Sequence, residues 1–285
     1  MGKGRGKGRK RVSVGLSPPL AAPEMKAAFE WLGWSPQKDS PVARALETHF
    51  PGAVPGSALT ARLASVLRSH GVVPGNSILG TSICSDEINN EAGDMADQLR
   101  AYFGQVFTMG GIGGAPFVGR TGFHAFSHHV PDGGHVVVFF GPHVGISNAG
   151  EIGKYHRDGQ RHESTACGAV SAAFQQCCEG KHGPSFFDAH DVQQSWLRDQ
   201  IAPRVDEVVT ARNTNAKLAM TAFDIIKASI EEVVHTKFGN GKLVLVGGIQ
   251  INLGHPLEDH FMPTFFEIRQ QGMDPVDLLK DLRLQ

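Results

Sequence analysis

Hydrophobic residues recur at helical spacing in some segments of this chain and form short continuous runs in others. Leu59, Leu63 and Leu67 lie four residues apart, which predicts an amphipathic helix over 58–70. The apolar run over 135–140 is typical of a strand buried on both faces of a parallel sheet. Alternation of such runs with helical segments predicts an α/β fold with a mostly parallel central sheet flanked by helices.

The same pattern places the individual elements. Strands are expected over 77–83, 106–109, 135–140 and 242–251. Helices are expected over 24–32, 41–49, 58–70, 91–103, 165–178, 192–209 and 216–238, and around 263–270 and 275–282. Pro203 should kink or break the helix over 192–209, because proline has no backbone N–H to donate. The helices within about 24–71 should form a layer ahead of the sheet.

Composition indicates a soluble globular chain: of its 285 residues, 41% are hydrophobic and 19% charged, and no apolar run is long enough to cross a membrane. Six of the first eleven residues are lysine or arginine, interspersed with glycine. We expect residues 1–17 to be a disordered basic tail with at most weak nucleic-acid contact, and residues 18–285 to form one domain. No secretory signal follows the tail, so a cytoplasmic location is expected, with an organelle stroma as the alternative.

Two cysteines and one histidine follow elements that should end at one edge of the sheet. Cys84 follows the strand over 77–83, His143 follows the strand over 135–140, and Cys167 lies at the start of a predicted helix. In open α/β sheets, ligands gather beyond the carboxyl ends of the strands. The three residues are therefore a candidate zinc-ligand set with an open fourth position. Taken singly, each is more often a core or structural residue.

Two other patterns suggest sites that we disfavour. The glycine-dense segment 110–121 nearly matches a phosphate-binding loop, but it has Arg120 where that loop needs lysine, and no helix is expected after it. We expect this segment to form a tight backbone turn that walls the active site. Cys177 and Cys178 with His182 suggest a second metal site, but adjacent cysteines cannot both face one side of a helix.

The unit Cys84-x-Asp86, followed by a distant histidine and cysteine, resembles the metal-binding pattern of beta-class carbonic anhydrases. A longer ordered set of motifs within about residues 55–255 resembles the limiting-carbon-dioxide-inducible protein B (LCIB) family, the theta-class carbonic anhydrases. These motifs are CSDEIN at 84–89, GGIGGAPF at 110–117, TGF at 121–123, AFSHHVP at 125–131, PHVG at 142–145, GKYHR at 153–157 and CGA at 167–169.

The resemblance implies a fold similar to beta-class carbonic anhydrases, a homodimer, and a zinc ion held by Cys84, His143 and Cys167. In the beta class, an arginine two residues after the aspartate pairs with it, whereas this chain has Ile88 there. Another cation must then hold Asp86. Arg120 is the first candidate, which makes Asp86 and Arg120 the expected catalytic pair, and Arg157 is the second.

The implied reaction is the reversible hydration of carbon dioxide to bicarbonate by a zinc-bound hydroxide that Asp86 orients. Two thiolates offset the charge of zinc, so a mildly alkaline optimum is expected. A narrow pocket lined partly by Phe117, Phe123 and Val144 should admit carbon dioxide. The candidate proton shuttles are His124, His128, His129 and His156. The alternatives are a non-catalytic, zinc-containing bicarbonate-handling or scaffold protein, and a different zinc hydro-lyase or hydrolase.

Overall fold

The computed structural model describes residues 34–91 and 93–282. Its helices are α1 (Pro41–His49), α2 (Gly56–Ser69), α3 (Met95–Phe103), α4 (Gly119–Ser127), α5 (Gly168–Cys178), α6 (Val192–Ile201), α7 (Val205–Val209), α8 (Thr214–Val233) and α9 (Leu279–Leu282). Its strands are β1 (Val54–Pro55), β2 (Ser77–Ser82), β3 (Val106–Thr108), β4 (His135–Phe140), β5 (His143–Ile146), β6 (Lys154–Tyr155), β7 (Ser164–Thr165), β8 (Lys242–Leu253), β9 (His260–Gln270) and β10 (Val276–Asp277). The helix expected over 24–32 and the tail over 1–17 lie outside the described residues.

The central sheet has the strand order β1-β9-β8-β4-β2-β3, with β10 paired to β9 and β5 paired to β8. Strands β3, β2, β4, β5 and β8 pair in parallel, whereas β9 pairs antiparallel with β8, β1 and β10. The expected α/β fold with a mostly parallel sheet flanked by helices is therefore confirmed. Strands β6 and β7 form a separate antiparallel pair.

Strand β4 shows how the sheet divides the core. Val136, Val138 and Phe140 pack in the cluster that includes residues of α1, α4 and α8. The intervening Val137 and Phe139 pack in the cluster that includes residues of α2 and α3. Because successive strand side chains point to opposite faces, a strand covered on both faces is apolar at every position. This explains the continuous run in the sequence.

Three segments differ from the expected secondary structure, and in one of them, around 275–282, strand β10 precedes a helix of only four residues, α9. The helix expected around 263–270 is wrong: this segment belongs to β9, which pairs with β8 over ten residue pairs and lies at the antiparallel side of the sheet. Its Pro263 lies next to a register irregularity at Gly247/Gly248, where a proline is tolerated in a strand. The expectation that no helix follows the glycine-dense segment is also wrong. Helix α4 forms there because Phe123 and Phe126 are buried in the core, which outweighs weak helical propensity.

Pro203 interrupts the predicted helix over 192–209, as expected. A short 3₁₀ helix over Ala202–Arg204 separates α6 from α7. Among residues 34–91 and 93–282, no helix is long and apolar enough to cross a membrane.

Close backbone approach at the carboxyl edge of the sheet brings the candidate ligands together. Ser82 at the end of β2 aligns with Phe140 at the end of β4, which in turn aligns with Gly247 in β8. Beyond that edge, Gly141 has a φ of 153°, and a Cβ on it would lie 1.8 Å from the carbonyl oxygen of Gly248. Only glycine permits this approach, which turns the chain so that His143 can begin β5.

Candidate metal centre

Three buried side chains from separate elements converge at this edge. One ligand atom each of Cys84, His143 and Cys167 lies within 4.8 Å of the others, and the two sulfur atoms are 3.7 Å apart. All three residues are less than 5% exposed. Within the described part of the chain, they form the one group of three or more such side chains that can hold a metal ion. The convergence expected from the strand ends is thus present.

The glycine-dense segment 110–121 lies against the sulfur of Cys84. The backbone N–H of Gly113 donates to Cys84 Sγ at 3.2 Å, with Gly113 in the left-handed region at a φ of 67°. A Cβ on Gly110 would lie 2.2 Å from the carbonyl oxygen of Ile83. The expectation of a tight turn beside the site therefore agrees with the structure, and an N–H donor there favours the thiolate form of Cys84.

His143 begins β5, and its two ring nitrogens face different groups. Its Nδ1 lies 2.8 Å from the side-chain oxygen of Asn252 on β8. Its Nε2 is buried and has no hydrogen-bond partner among the described residues. A buried polar atom without a partner is costly, and a metal ion beside the two sulfur atoms would satisfy it. The residues present therefore fit a metal ion bound by two thiolates and one imidazole.

The two cysteines share a proton. A hydrogen bond from Cys167 lowers the pKa of Cys84 to about 4, with His143 adding to the effect against the cost of burial. The same hydrogen bond and burial raise the pKa of Cys167 well above its ordinary value, although the N–H groups of Ala169 and Val170 at the start of α5 oppose the shift. Binding a metal ion to both sulfurs must therefore release a proton.

The pKa of His143 is raised, in contrast to that of Cys84. Burial acts to lower the pKa of His143, but the nearby negatively charged Cys84 outweighs it, and the net direction is upward. The ring is thus drawn toward its charged form when no metal ion offsets the thiolate. A metal ion competes with protons for the same atoms.

Asp86 follows Cys84 and lies beside the three ligands. One of its oxygens is 3.6 Å from His143 Nε2. Arg157 donates through Nη2 to both carboxylate oxygens of Asp86, at 2.8 and 3.0 Å. Burial raises the pKa of Asp86, as does a hydrogen bond with Glu87, and the Arg157 hydrogen bonds oppose these effects. The carboxylate is therefore both close to the metal-ligand atoms and fixed by a cation.

The pairing of Arg120 with Asp86 is wrong. Arg120 lies on α4, its side chain is 74% exposed, and it pairs with Glu232 at the end of α8. Arg157, the second candidate, occupies the role instead, because β6 and the turn after it bring residues 154–157 alongside the loop that follows β2. Its other nitrogens donate to Glu87 and Ser164.

A cavity of about 370 Å³ opens onto the centre. It is lined by Cys84, Ser85, Asp86, Ile112, Arg157, Gln160, Ser164, Thr165, Cys167, Gly168 and Ala169. Two of the expected apolar wall residues lie elsewhere: Phe123 is in the core, and Phe117 packs edge-on against Trp196. Val144 borders a small separate crevice behind His143 and Cys167.

The candidate shuttle histidines have different surroundings. His156 borders a second, adjoining cavity of about 470 Å³, which Glu87 and Arg157 also line. His124 and His128 on α4 lie against each other, with ring nitrogens 3.1 Å apart. The sequence reasoning missed Asn252 altogether. The available signal was a polar residue at alternate positions in the otherwise apolar strand β8, where Gln250 and Asn252 are both buried.

Comparisons with known proteins agree with this architecture. The sequence profile described as limiting CO2-inducible proteins B/C beta carbonic anhydrases matches residues 53–270. The crystal structure of PtLCIB4, a homolog of the limiting CO2-inducible protein LCIB, is 31% identical with a TM-score of 0.75, covering 82% of this chain and 98% of that one. A substituted form of PtLCIB4 is 30% identical with a TM-score of 0.76, covering 83% and 97%. No curated protein matches this chain.

The crystal structure of LCIB itself is 22% identical, with a TM-score of 0.64 over 85% of this chain and 98% of that one, and this shows a likeness of fold alone. Fold and site together define an α/β protein with a buried group of two cysteines and one histidine that can hold a metal ion. Since the profile covers most of the sequence, the chain belongs to the limiting CO2-inducible protein B/C family of beta carbonic anhydrases. The resemblance noted in the sequence is confirmed.

Proposed function

We propose that this protein is a zinc-dependent carbonic anhydrase that catalyses the reversible hydration of carbon dioxide to bicarbonate. The observation that carries the proposal is the unpartnered Nε2 of His143 beside two cysteine sulfurs, with an aspartate held next to them by an arginine. The family description supports the same reaction.

Zinc is the metal ion that this donor set favours. Two thiolates and one imidazole form a common catalytic zinc set, and they leave one position of a tetrahedral ion free. When bound, zinc supplies a Lewis acid that lowers the pKa of a water molecule. The negative charge of the two sulfurs moderates this effect, so we expect activity to rise toward mildly alkaline pH.

Asp86 and Arg157 act on the reacting water. The Asp86 carboxylate lies close enough to the ligand atoms to accept a hydrogen bond from that water and so orient it. Arg157 binds both oxygens of the carboxylate and thereby fixes its direction. Ile112 and Ala169 give the cavity apolar wall atoms on which the uncharged substrate can rest. His156, at the adjoining cavity, is the shuttle candidate nearest to Arg157 along the chain.

Stopped-flow hydration of carbon dioxide tests the proposal. We expect zinc-loaded protein to be active, activity to fall after chelation, and zinc to restore it. Cys84→Ser should abolish activity, whereas Cys178→Ser, at an exposed free cysteine, should leave it unchanged. A protein that holds one zinc ion yet shows no hydration at pH 8 to 9 would contradict the enzyme and favour a bicarbonate-handling or scaffold role.

The partners expected from the sequence remain predictions. Sedimentation of the purified protein checks the homodimer, and a mass equal to one chain would contradict it. Removal of residues 1–11 should abolish any weak nucleic-acid contact and leave hydration intact, since the described centre lies entirely within residues 84–167 and β8.

A further inference from the structure

A buried amide lies between His143 and a carboxylate that does not touch the centre. Asn252 on β8 is fully buried, and its side-chain oxygen faces His143 Nδ1 at 2.8 Å. Its side-chain nitrogen donates to Asp259 at 2.7 Å. Asp259 in turn accepts the backbone N–H of Leu253 at 2.8 Å through its other oxygen.

We infer that Asn252, held in place by Asp259, is a positioning residue that fixes His143 as the Nδ1–H tautomer and so presents Nε2 to a metal ion. The inference rests on the proposed metal centre and not on the reaction carried out there. Neither residue lines the cavity that opens onto the centre, so both act through His143.

The surroundings of the Asn252 side-chain nitrogen settle which way the amide points. Besides Asp259, it faces the backbone carbonyl of Ile88 and the side-chain oxygen of Asn89, each at 3.3 Å. A carbonyl oxygen only accepts hydrogen bonds, so the NH₂ group must lie on this side. The amide oxygen is therefore the atom that faces His143.

That orientation determines the tautomer of the ring. An amide oxygen only accepts, so the nitrogen 2.8 Å from it must carry a hydrogen. In neutral imidazole the second nitrogen then has a free lone pair. This second nitrogen is the buried, unpartnered Nε2 that lies with the two sulfurs. A partner on the far side of a ligating histidine is known to raise metal affinity by fixing the ring.

Asp259 fixes the orientation of the Asn252 side-chain amide. Its carboxylate accepts on both sides, from Leu253 N and from the Asn252 amide. In Asp259→Asn, the amide oxygen is needed for Leu253 N–H, so the new NH₂ group faces the NH₂ group of Asn252. In Asn252→Asp, a second carboxylate oxygen faces Asp259 and the carbonyl of Ile88. Each single change therefore breaks the alignment that the pair provides.

Exchanging the two groups restores the hydrogen bond between positions 252 and 259, whereas the carboxylate at position 252 still faces the carbonyl of Ile88. In the double variant Asn252→Asp with Asp259→Asn, the amide at position 259 donates to the carboxylate at position 252, whose other oxygen still accepts from His143. Gln98→Leu is the matched control, since Gln98 is a buried amide on α3 that donates to Gly93. It removes a buried amide without touching the chain of hydrogen bonds.

The test measures zinc affinity by competition with a chromophoric chelator, together with the melting temperature of each metal-free protein. We expect each single variant to bind zinc about 10–100-fold more weakly, the double variant to recover part of that loss, and Gln98→Leu to melt lower with unchanged affinity. Asp259→Asn decides the question if Asn252→Asp does not fold, because Asp259 is partly exposed and does not contact His143.

Single variants that bind zinc as tightly as the wild type would overturn the inference, and so would a double variant as weak as the singles. A wild-type protein that binds no zinc would overturn the metal centre as well. Zinc binding without hydration would instead contradict the proposed reaction and leave this inference standing.

Discussion

Arg157 Nη2 donates to both carboxylate oxygens of Asp86, at 2.8 and 3.0 Å, although 71 positions separate the two residues in the chain. The same guanidinium donates to Ser164 in β7, the strand that leads to Cys167. One side chain therefore links the loop that carries Cys84 to the segment that carries Cys167. Arg157 therefore orients the Asp86 carboxylate and also holds together two segments that line the centre.

We predict that Arg157→Lys lowers the rate of carbon dioxide hydration by about 10–100-fold while the zinc content stays near one ion per chain. A lysine ammonium cannot reproduce a planar guanidinium that donates to several partners at once, so Asp86 loses its alignment. Stopped-flow hydration with metal analysis on the same sample provides the measurement.

Arg120→Lys is the matched control for that change. Its exposed pair with Glu232 contributes little, and we expect hydration within about twofold of the wild type. Equal losses in the two variants would show that the Asp86–Arg157 contact has no particular role.

Zinc affinity should increase with pH between about 6 and 9. In the metal-free centre, Cys167 holds a proton because its hydrogen bond with Cys84 and its burial raise its pKa well above the ordinary value. Zinc must displace that proton, so a rising pH favours binding. Chelator competition at several pH values checks this. An affinity independent of pH would mean that zinc does not bind both sulfurs.

Asp94→Asn should stabilise the protein at alkaline pH. Burial raises the pKa of Asp94 from 3.8 to about 8. The unfolded chain ionises this group near pH 4, while the folded chain keeps the proton until about pH 8, so the group's contribution to stability falls as pH rises through that window. We expect the variant to gain at least about 1 kcal/mol over the wild type at pH 9, or roughly 2 °C in melting temperature.

Asp94→Ala separates this charge effect from helix capping. Asp94 also accepts the backbone N–H of Asp97 at 2.9 Å at the start of α3, which asparagine preserves and alanine does not. Alanine should therefore melt below asparagine by an amount worth about 1 kcal/mol at both pH 5 and pH 9. A difference between Asp94→Asn and wild type that is the same at both pH values would refute the burial effect.

Gly114→Ala should destabilise the protein by at least about 2 kcal/mol. Gly114 has a φ of 91°, and a Cβ there would lie 2.5 Å from the carbonyl oxygen of Gly141. Gly75→Ala is the control, since a Cβ at Gly75 meets no described atom within 4 Å, and it should change stability by less than about 0.5 kcal/mol. Urea denaturation measures both, and similar midpoints would contradict the close approach.

Several elements of the fold were predictable because their signals are local. The apolar run of β4 and the spacing of Leu59, Leu63 and Leu67 in α2 both appear in the sequence, and both elements formed where expected. Strand β9 was not predictable, because its strand form depends on pairing with β8. Helix α4 likewise depends on burying Phe123 and Phe126 rather than on helical propensity.

The candidate site divides in the same way. Cys84, His143 and Cys167 each stand at the end or start of an element, and the register of a parallel sheet then brings them together. Which cation pairs with Asp86 depends on how the folded chain places side chains that are distant in the sequence. The order of residues in the sequence does not give these distances. For this reason the sequence alone does not favour Arg157 over Arg120 and does not indicate the contact between Asn252 and His143.

Anomalous X-ray diffraction at the zinc edge, from crystals of zinc-loaded protein, tests the central claim most directly. The account predicts one zinc peak about 2.3 Å from the sulfurs of Cys84 and Cys167 and about 2.0–2.1 Å from Nε2 of His143. A peak bound elsewhere, or no peak between these three side chains in crystals that contain zinc, would contradict it.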